Sequence, residues 1–358
     1  MNKKTKITEK EHIVVKFAGD SGEGMQLTGS QFSDTSAFLG NDLSTFPDYP
    51  SEIRAPEGTI AGVSGFQVHI GKKEVETPGD QADVLVAMNP AALKTNIKWL
   101  KPGATIIIDI DHFDNKHYKK AGYQEDPLHD HSLDGYTVIK APITSLTKST
   151  VKELGLDPKM VEKIKNQFVA GLLFWLFNRD PKIGKEFIEK KFIGKTTIIK
   201  ANITALEAGY HYAETVEAFS TTFLVNPAKK KKGYFRIIKG NVATAWGLIA
   251  AAEKSGKELF LGSYPITPAS EILQELSKRK NYGVITYQAE DEIAAVCAAI
   301  GASFAGKLAA TSTSGPGLAL KSEAIGLAVI TELPLVIINV QRGGPSTGLP
   351  TKPEQADL

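Results

Sequence analysis

Cysteine is almost missing: Cys297 stands alone in 358 residues. One thiol cannot form an internal disulfide, so a reducing cytoplasm is the simplest home. It also cannot hold an iron–sulfur cluster unaided, because such clusters usually take about four cysteine ligands. An excess of one charge is absent too. The 42 Lys and Arg side chains are nearly matched by 40 Asp and Glu, which gives no grip on nucleic acid or an acidic polymer. No apolar run approaches the ~20 residues that span a bilayer, and the first residues, MNKKTKITEKEH, lack the apolar stretch of a signal peptide. No histidine follows His211, so the last third of the chain has no imidazole for acid–base work.

What remains is an α/β pattern long enough for two domains of ordinary size. HIVVKFAG from His12 reads as a buried first strand, followed by a glycine-rich turn and a helix. That layout suits a dinucleotide fingerprint, but Gly19, Gly22 and Gly24 fall in a G-x-x-G-x-G order, and Asp20 and Glu23 would repel a phosphate. A tight turn packing helix on sheet is the better reading. Pro47, Pro50 and Pro56 predict an irregular loop, in which Glu52 and Arg54 form a solvated or interface pair. A strand-like run follows from Thr59 to Ile70, with further buried strands at DVLVAMNP from Asp83 and ATIIIDI from Ala104. His112, His117, His129 and His131 show no metal-ligand spacing and read as surface groups. From Ile143 to Val216 the apolar spacing turns helical. NPAKKKKG then marks a solvated hinge, so the expected division is a domain over 1–218, a linker over 219–233 and a second domain over 234–358.

The second domain carries four places where a strand hands over to a helix or loop through polar residues. Such handovers line up along one edge of a parallel sheet and form a crevice there. In LGSYPITPAS, Thr267 could cap a helix or offer its hydroxyl to an anion or carbonyl oxygen. In YQAEDEIAAV, Glu290, Asp291 and Glu292 crowd a helix start; helix polarity accounts for two of them. TSTSGPGLALKSEAIGLAV supplies a third handover. In INVQRGGPSTGLPT, Arg342 leaves an apolar strand with Ser346, Thr347 and Thr351 nearby, an arrangement suited to holding a small carboxylate.

YPITPAS, YQAEDE, TSTSGPGLALKSEAIGLAV and VQRGGPSTGLPTKPEQADL together resemble the alpha subunit of the 2-oxoacid:ferredoxin oxidoreductases. The type is the one with a gamma domain fused ahead of the alpha domain. AGDSGEGMQLTG and DYPSEIR extend the likeness more weakly into the first domain. The resemblance implies a gamma-type α/β domain followed by a doubly wound domain that holds the pyrimidine ring of thiamine diphosphate. It implies that Glu290 contacts the ring's N1′ nitrogen, a role for a carboxylate that can share a proton. Tyr264, Pro265 and Ile266 would lie in the cofactor-binding motif. Thr267 and Arg342 would bind the 2-oxo acid, with Thr351 as a weaker contributor, while Asp291 and Glu292 remain helix-start charges.

The family grips the diphosphate through magnesium and a Gly-Asp-Gly run; GDSGEG and GDQADV depart from it. The resemblance therefore implies a beta subunit that carries the magnesium, the diphosphate site and an iron–sulfur cluster, in a hetero-oligomer with this chain. The reaction implied is oxidative decarboxylation of a 2-oxo acid, 2-oxoglutarate by preference, to an acyl-coenzyme A, with ferredoxin as electron acceptor. Family alpha chains run on past KPEQADL, so a shortened chain is expected. Two other classes stay open: a non-redox thiamine enzyme subunit, and a fragment that only docks subunits.

Overall fold

The computed structural model describes residues 6–20, 23–48, 62–216, 221–230 and 232–340. The chain divides into two compact units, Met1–Gly233 and Tyr234–Leu358.

In the first unit the order is β1 (Lys6–Glu9), β2 (His12–Asp20), α1 (Met25–Phe38), β3 (Asp42–Asp48), β4 (Val63–Gly71), β5 (Ala82–Ala87), α2 (Pro90–Asn96), β6 (Leu100–Asp109), α3 (Asn115–Lys120) and β7 (Thr137–Ala141). Then come α4 (Ile143–Thr150), α5 (Pro158–Leu176), α6 (Pro181–Lys191), α7 (Thr196–Thr215) and β8 (Thr221–Leu224). Six strands form one sheet in the order β3-β4-β2-β5-β6-β7; β1 and β8 pair separately. β2, β5, β6 and β7 run parallel, and β3 and β4 join as antiparallel neighbours.

β2 is buried at nearly every residue because both faces of the sheet are covered. Ile13, Val15 and Phe17 enter a core with Phe168, Val169 and Leu172 of α5, while Val14 and Ala18 enter one with Leu85, Leu93 and Ile106. α5 and α7 touch backbone to backbone: a methyl at Gly171 would strike the Leu206 carbonyl, and one at Gly209 the Phe168 carbonyl. Larger residues there would wedge the pair apart. Pro47, read as part of a loop, lies inside β3. This strand is the sheet's edge, where a missing N–H removes no ladder bond. Pro50, Glu52, Arg54 and Pro56 lie outside the described residues.

The second unit runs α8 (Gly240–Ser255), β9 (Leu259–Ser263), α9 (Ser270–Ser277), β10 (Val284–Gln288), α10 (Glu292–Phe304), β11 (Leu308–Thr313), α11 (Gly315–Leu320), α12 (Ser322–Ile330) and β12 (Val336–Asn339). Its four strands are all parallel, in the order β10-β9-β11-β12. Alternation along β11 sorts the faces. Ala310 packs with α8 and α9, and Ala309 with Ala299 and Ala302 of α10. Thr311 and Thr313 share the parity of Ala309, so they face α10.

Candidate functional site

β9 hands over to β10 on one side, and β11 to β12 on the other. This order, 2-1-3-4 in chain sequence, places a topological switch point between β9 and β11, where ligands of open parallel sheets bind. Register makes the strand ends level there: Ser263 pairs with both Gln288 and Ser312, and Thr313 with Asn339. The Ser263 hydroxyl stitches the switch point, 2.8 Å from the Ser312 hydroxyl and 3.1 Å from the Ser312 carbonyl.

The loop leaving β9 presents Tyr264, Pro265 and Thr267 as exposed residues and Ile266 as half-buried. Thr267 is not a helix cap. α9 begins at Ser270, behind Ala269, and the Ser270 amide and hydroxyl close the turn on the Ile266 carbonyl at 2.9 and 3.1 Å. Pro268 accordingly precedes the helix rather than opening it.

The three acids after β10 take three different positions. Asp291 is the N-cap of α10, its Oδ1 accepting the Ala294 amide at 2.7 Å. Glu290, before the cap, is exposed. Glu292, the first helical residue, is half-buried and leans over α11. A methyl on Gly317 would overlap Thr313 Oγ1 and come within 2.8 Å of Glu292 Cγ and 3.2 Å of its Oε1. Glycine at 317 is therefore what lets this carboxylate lie beside Thr313.

Below it sits Lys321, fully buried at the α11–α12 junction, with Nζ donating to the Glu292 carbonyl at 2.7 Å. Burial pulls its pKa down to about 8, against the opposing pull of Glu292, Asp291 and Cys297. Thr311 Oγ1 on the α10 face of the sheet, Ser314 Oγ at the exit of β11 and both amide atoms of Asn339 are buried without a hydrogen-bond partner among the described residues. Such groups cost about 1–3 kcal/mol each when left unanswered, so their gathering at a strand-end crevice marks a place built to meet polar atoms. Arg342 and Thr351 lie outside the described residues.

The first unit has its own switch point, between β2 and β5, filled from within. Asn89 Nδ2 donates to Asp20 Oδ1 at 2.8 Å while its Oδ1 caps α2. Glu23 accepts the Asp20 amide at 2.7 Å and pairs with buried Lys165 at 2.9 Å. Burial, then Glu23, raises the Asp20 pKa. A shallow pocket beside it is lined by Asn89, His117 and Lys120. His129 and His131 are exposed, but His112 and His117 are half-buried with ring centres 5.5 Å apart. Among the described residues, no three His, Cys, Asp or Glu side chains are grouped to hold a metal ion, and no helix is long and apolar enough to cross a membrane.

Residues 14–212 match the family described as pyruvate ferredoxin/flavodoxin oxidoreductase. The chain belongs to that family. Residues 251–358 match its companion, described as the thiamine diphosphate-binding part of pyruvate flavodoxin/ferredoxin oxidoreductase. The two units thus correspond to the gamma-type and pyrimidine-binding α/β folds that the sequence resemblance implied. The chain is 53% identical to 2-oxoglutarate oxidoreductase subunit KorA of Mycobacterium tuberculosis, covering 97% of itself and 53% of that protein. It is 27% identical to 2-oxoacid:ferredoxin oxidoreductase 1, subunit alpha, of Aeropyrum pernix, covering 98% of itself and 57% of the relative. Among solved structures it is similar to the 2-oxoglutarate:ferredoxin oxidoreductase of Magnetococcus marinus with 2-oxoglutarate, coenzyme A and succinyl-CoA bound. The TM-score is 0.73 at 34% identity, over 98% of this chain and 55% of the other. The chain spans about half the length of these relatives.

Two residues beside the crevice are not singled out by the sequence as site candidates. Glu292 reads there as a helix-start charge, and it is the first residue of α10; Lys321 carries no local signal. Their signal lay only in company: an acid and a lysine bordering segments made almost wholly of small residues.

Proposed function

We propose that this chain supplies the pyrimidine-side half of a thiamine diphosphate site in a 2-oxoglutarate:ferredoxin oxidoreductase. The reaction is 2-oxoglutarate plus coenzyme A to succinyl-CoA and carbon dioxide, the two electrons passing to ferredoxin. The observation that carries this reading is the level set of strand ends at the β9/β11 switch point, with Glu292 over Gly317 and unanswered polar atoms at Thr311, Ser314 and Asn339, inside the segment that matches the thiamine diphosphate-binding family. These groups fit a flat ring bearing hydrogen-bonding nitrogens. Thiamine diphosphate, when bound, supplies the electron sink for loss of carbon dioxide.

In this reading the Glu292 carboxylate shares a proton with the ring nitrogen, because it is the acid turned toward Thr313; exposed Glu290 is the alternative holder of that proton. Tyr264, Pro265 and Ile266 flank the ring. Thr267 and Arg342 hold the 2-oxo acid, Arg342 at a carboxylate, and Thr351 assists. A beta subunit supplies magnesium, the diphosphate grip and the iron–sulfur cluster, in a cytoplasmic hetero-oligomer.

The test is ferredoxin reduction by the complex reconstituted with its beta subunit, with E290Q and E292Q compared. Loss of about a hundredfold or more in turnover in E292Q alone is expected for a general acid–base group. The same loss in E290Q alone would move the role to Glu290. Calorimetric titration supplies the second arm: tight thiamine diphosphate binding by the isolated chain would contradict a divided site.

A further inference from the structure

Lys321 is fully buried, yet among the described residues no carboxylate oxygen meets its ammonium in a hydrogen bond; Nζ donates instead to the backbone carbonyl of Glu292. A cation enclosed beside a helix N-terminus opposes that helix's own polarity, and an apolar side chain of similar length would fill the space without the desolvation cost. What the charge meets is the acidic start of α10, without a hydrogen bond to either carboxylate there. Its backbone is held firmly: the Lys321 amide reaches the carbonyls of Gly317 and Leu318 at 3.2 and 3.1 Å, and its own carbonyl accepts the Ile325 amide at 3.0 Å. The side chain thus ties a rigid helix junction to the first turn of α10. Gly317, whose missing Cβ makes room for Glu292, lies one helical turn before it.

We propose that Lys321 is a positioning residue for Glu292: its enclosed ammonium grips the Glu292 carbonyl and so sets the carboxylate against Gly317 and Thr313. This rests on the reading of Glu292 as the carboxylate facing the ring. The titratable groups facing Lys321 are Glu292, Asp291 and Cys297, from the cap and first two turns of α10. Losing the proton above pH 8 removes the charge that answers the acidic turn.

The test uses K321M in the assembled complex, with backbone hydrogen exchange of the 289–297 segment read in the full chain without cofactor. Expected are exchange of the first α10 turn faster by about tenfold, turnover lower by about ten- to a hundredfold, and a KM for 2-oxoglutarate within about threefold of the parent, as for a misaligned rather than missing group. A fall in turnover above about pH 8 is expected in the parent and should be absent in K321M. A folded K321M with parental exchange and parental turnover overturns the proposal. If K321M does not fold, K321L, which likewise removes the donor, is read the same way. E292Q separates the two claims: full turnover there removes Glu292 from the chemistry, while the exchange measurement still decides whether Lys321 holds the turn.

Discussion

Replacing Gly317 by alanine pits two effects of opposite sign against each other. In an ordinary helix, glycine to alanine stabilises by up to about 1 kcal/mol through backbone entropy. Gly301 in α10 and Gly326 in α12 are such places, since nothing lies within 4 Å of an added Cβ. At Gly317 the new methyl would sit on Thr313 Oγ1 and 2.8 Å from Glu292 Cγ. Forcing a methyl into a filled space costs about 1–3 kcal/mol. The balance is a net loss of about 0–2 kcal/mol, so G317A should fall about 1–3 kcal/mol below G301A and G326A, which at about 2–4 °C per kcal/mol is readable by calorimetry. The same methyl expels the Glu292 side chain from its place, so turnover of the assembled enzyme should drop far more than stability does, while both control variants keep parental turnover. A G317A protein as stable as the controls and fully active would refute the placement of Glu292.

Three further outcomes follow from charged side chains. Lys321 has a folded pKa of about 8 against 10.5 for the free side chain, so the unfolded chain binds more protons between those values and stability rises with pH across that window. The rise amounts to about 3 kcal/mol; K321M should lack it in urea titrations from pH 7 to 10.5. Asp20, whose pKa is raised by burial and by Glu23, acts in the opposite sense: stability falls as pH climbs from the unfolded carboxyl value through the folded one. D20N, which keeps an acceptor for Asn89, should flatten that part of the melting-temperature profile. Arg342→Ala should weaken use of 2-oxoglutarate by about 2–5 kcal/mol if the guanidinium meets a desolvated carboxylate; an unchanged apparent affinity removes it from the substrate site.

Much of the fold was legible because the strands of both sheets are short apolar runs closed by glycine, proline or a polar turn, a pattern that survives without tertiary information. β3 was not, since Pro47 reads as a breaker until the strand is known to lie at an edge. The acidic turn was legible as a cluster but not in its parts. Three carboxylates in a row look alike until the helix start is fixed: once Asp291 is the cap, Glu290 is left outside and Glu292 joins the first turn. Lys321 was hidden for a different reason. Its burial depends on the α10 turn, 29 residues away in sequence, and no local pattern in GLALKSEA distinguishes it from a solvated lysine.

The two switch points show why topology alone does not assign a site. Both lie between strands whose connections diverge, and both collect acids at a helix start. In the first unit Asn89 answers Asp20, and Lys165 and the Asp20 amide answer the Glu23 carboxylate, so the acids there hold the turn together. In the second unit Asp291 is used up as a cap and Lys321 takes only a backbone carbonyl. Thr311, Ser314 and Asn339 are then left without a hydrogen-bond partner among the described residues, while the Glu292 carboxylate faces the Lys321 charge without a hydrogen bond to it. Buried polar groups are costly unless they find partners. A crevice that leaves several together at its strand ends is therefore the better place for a ring with hydrogen-bonding nitrogens.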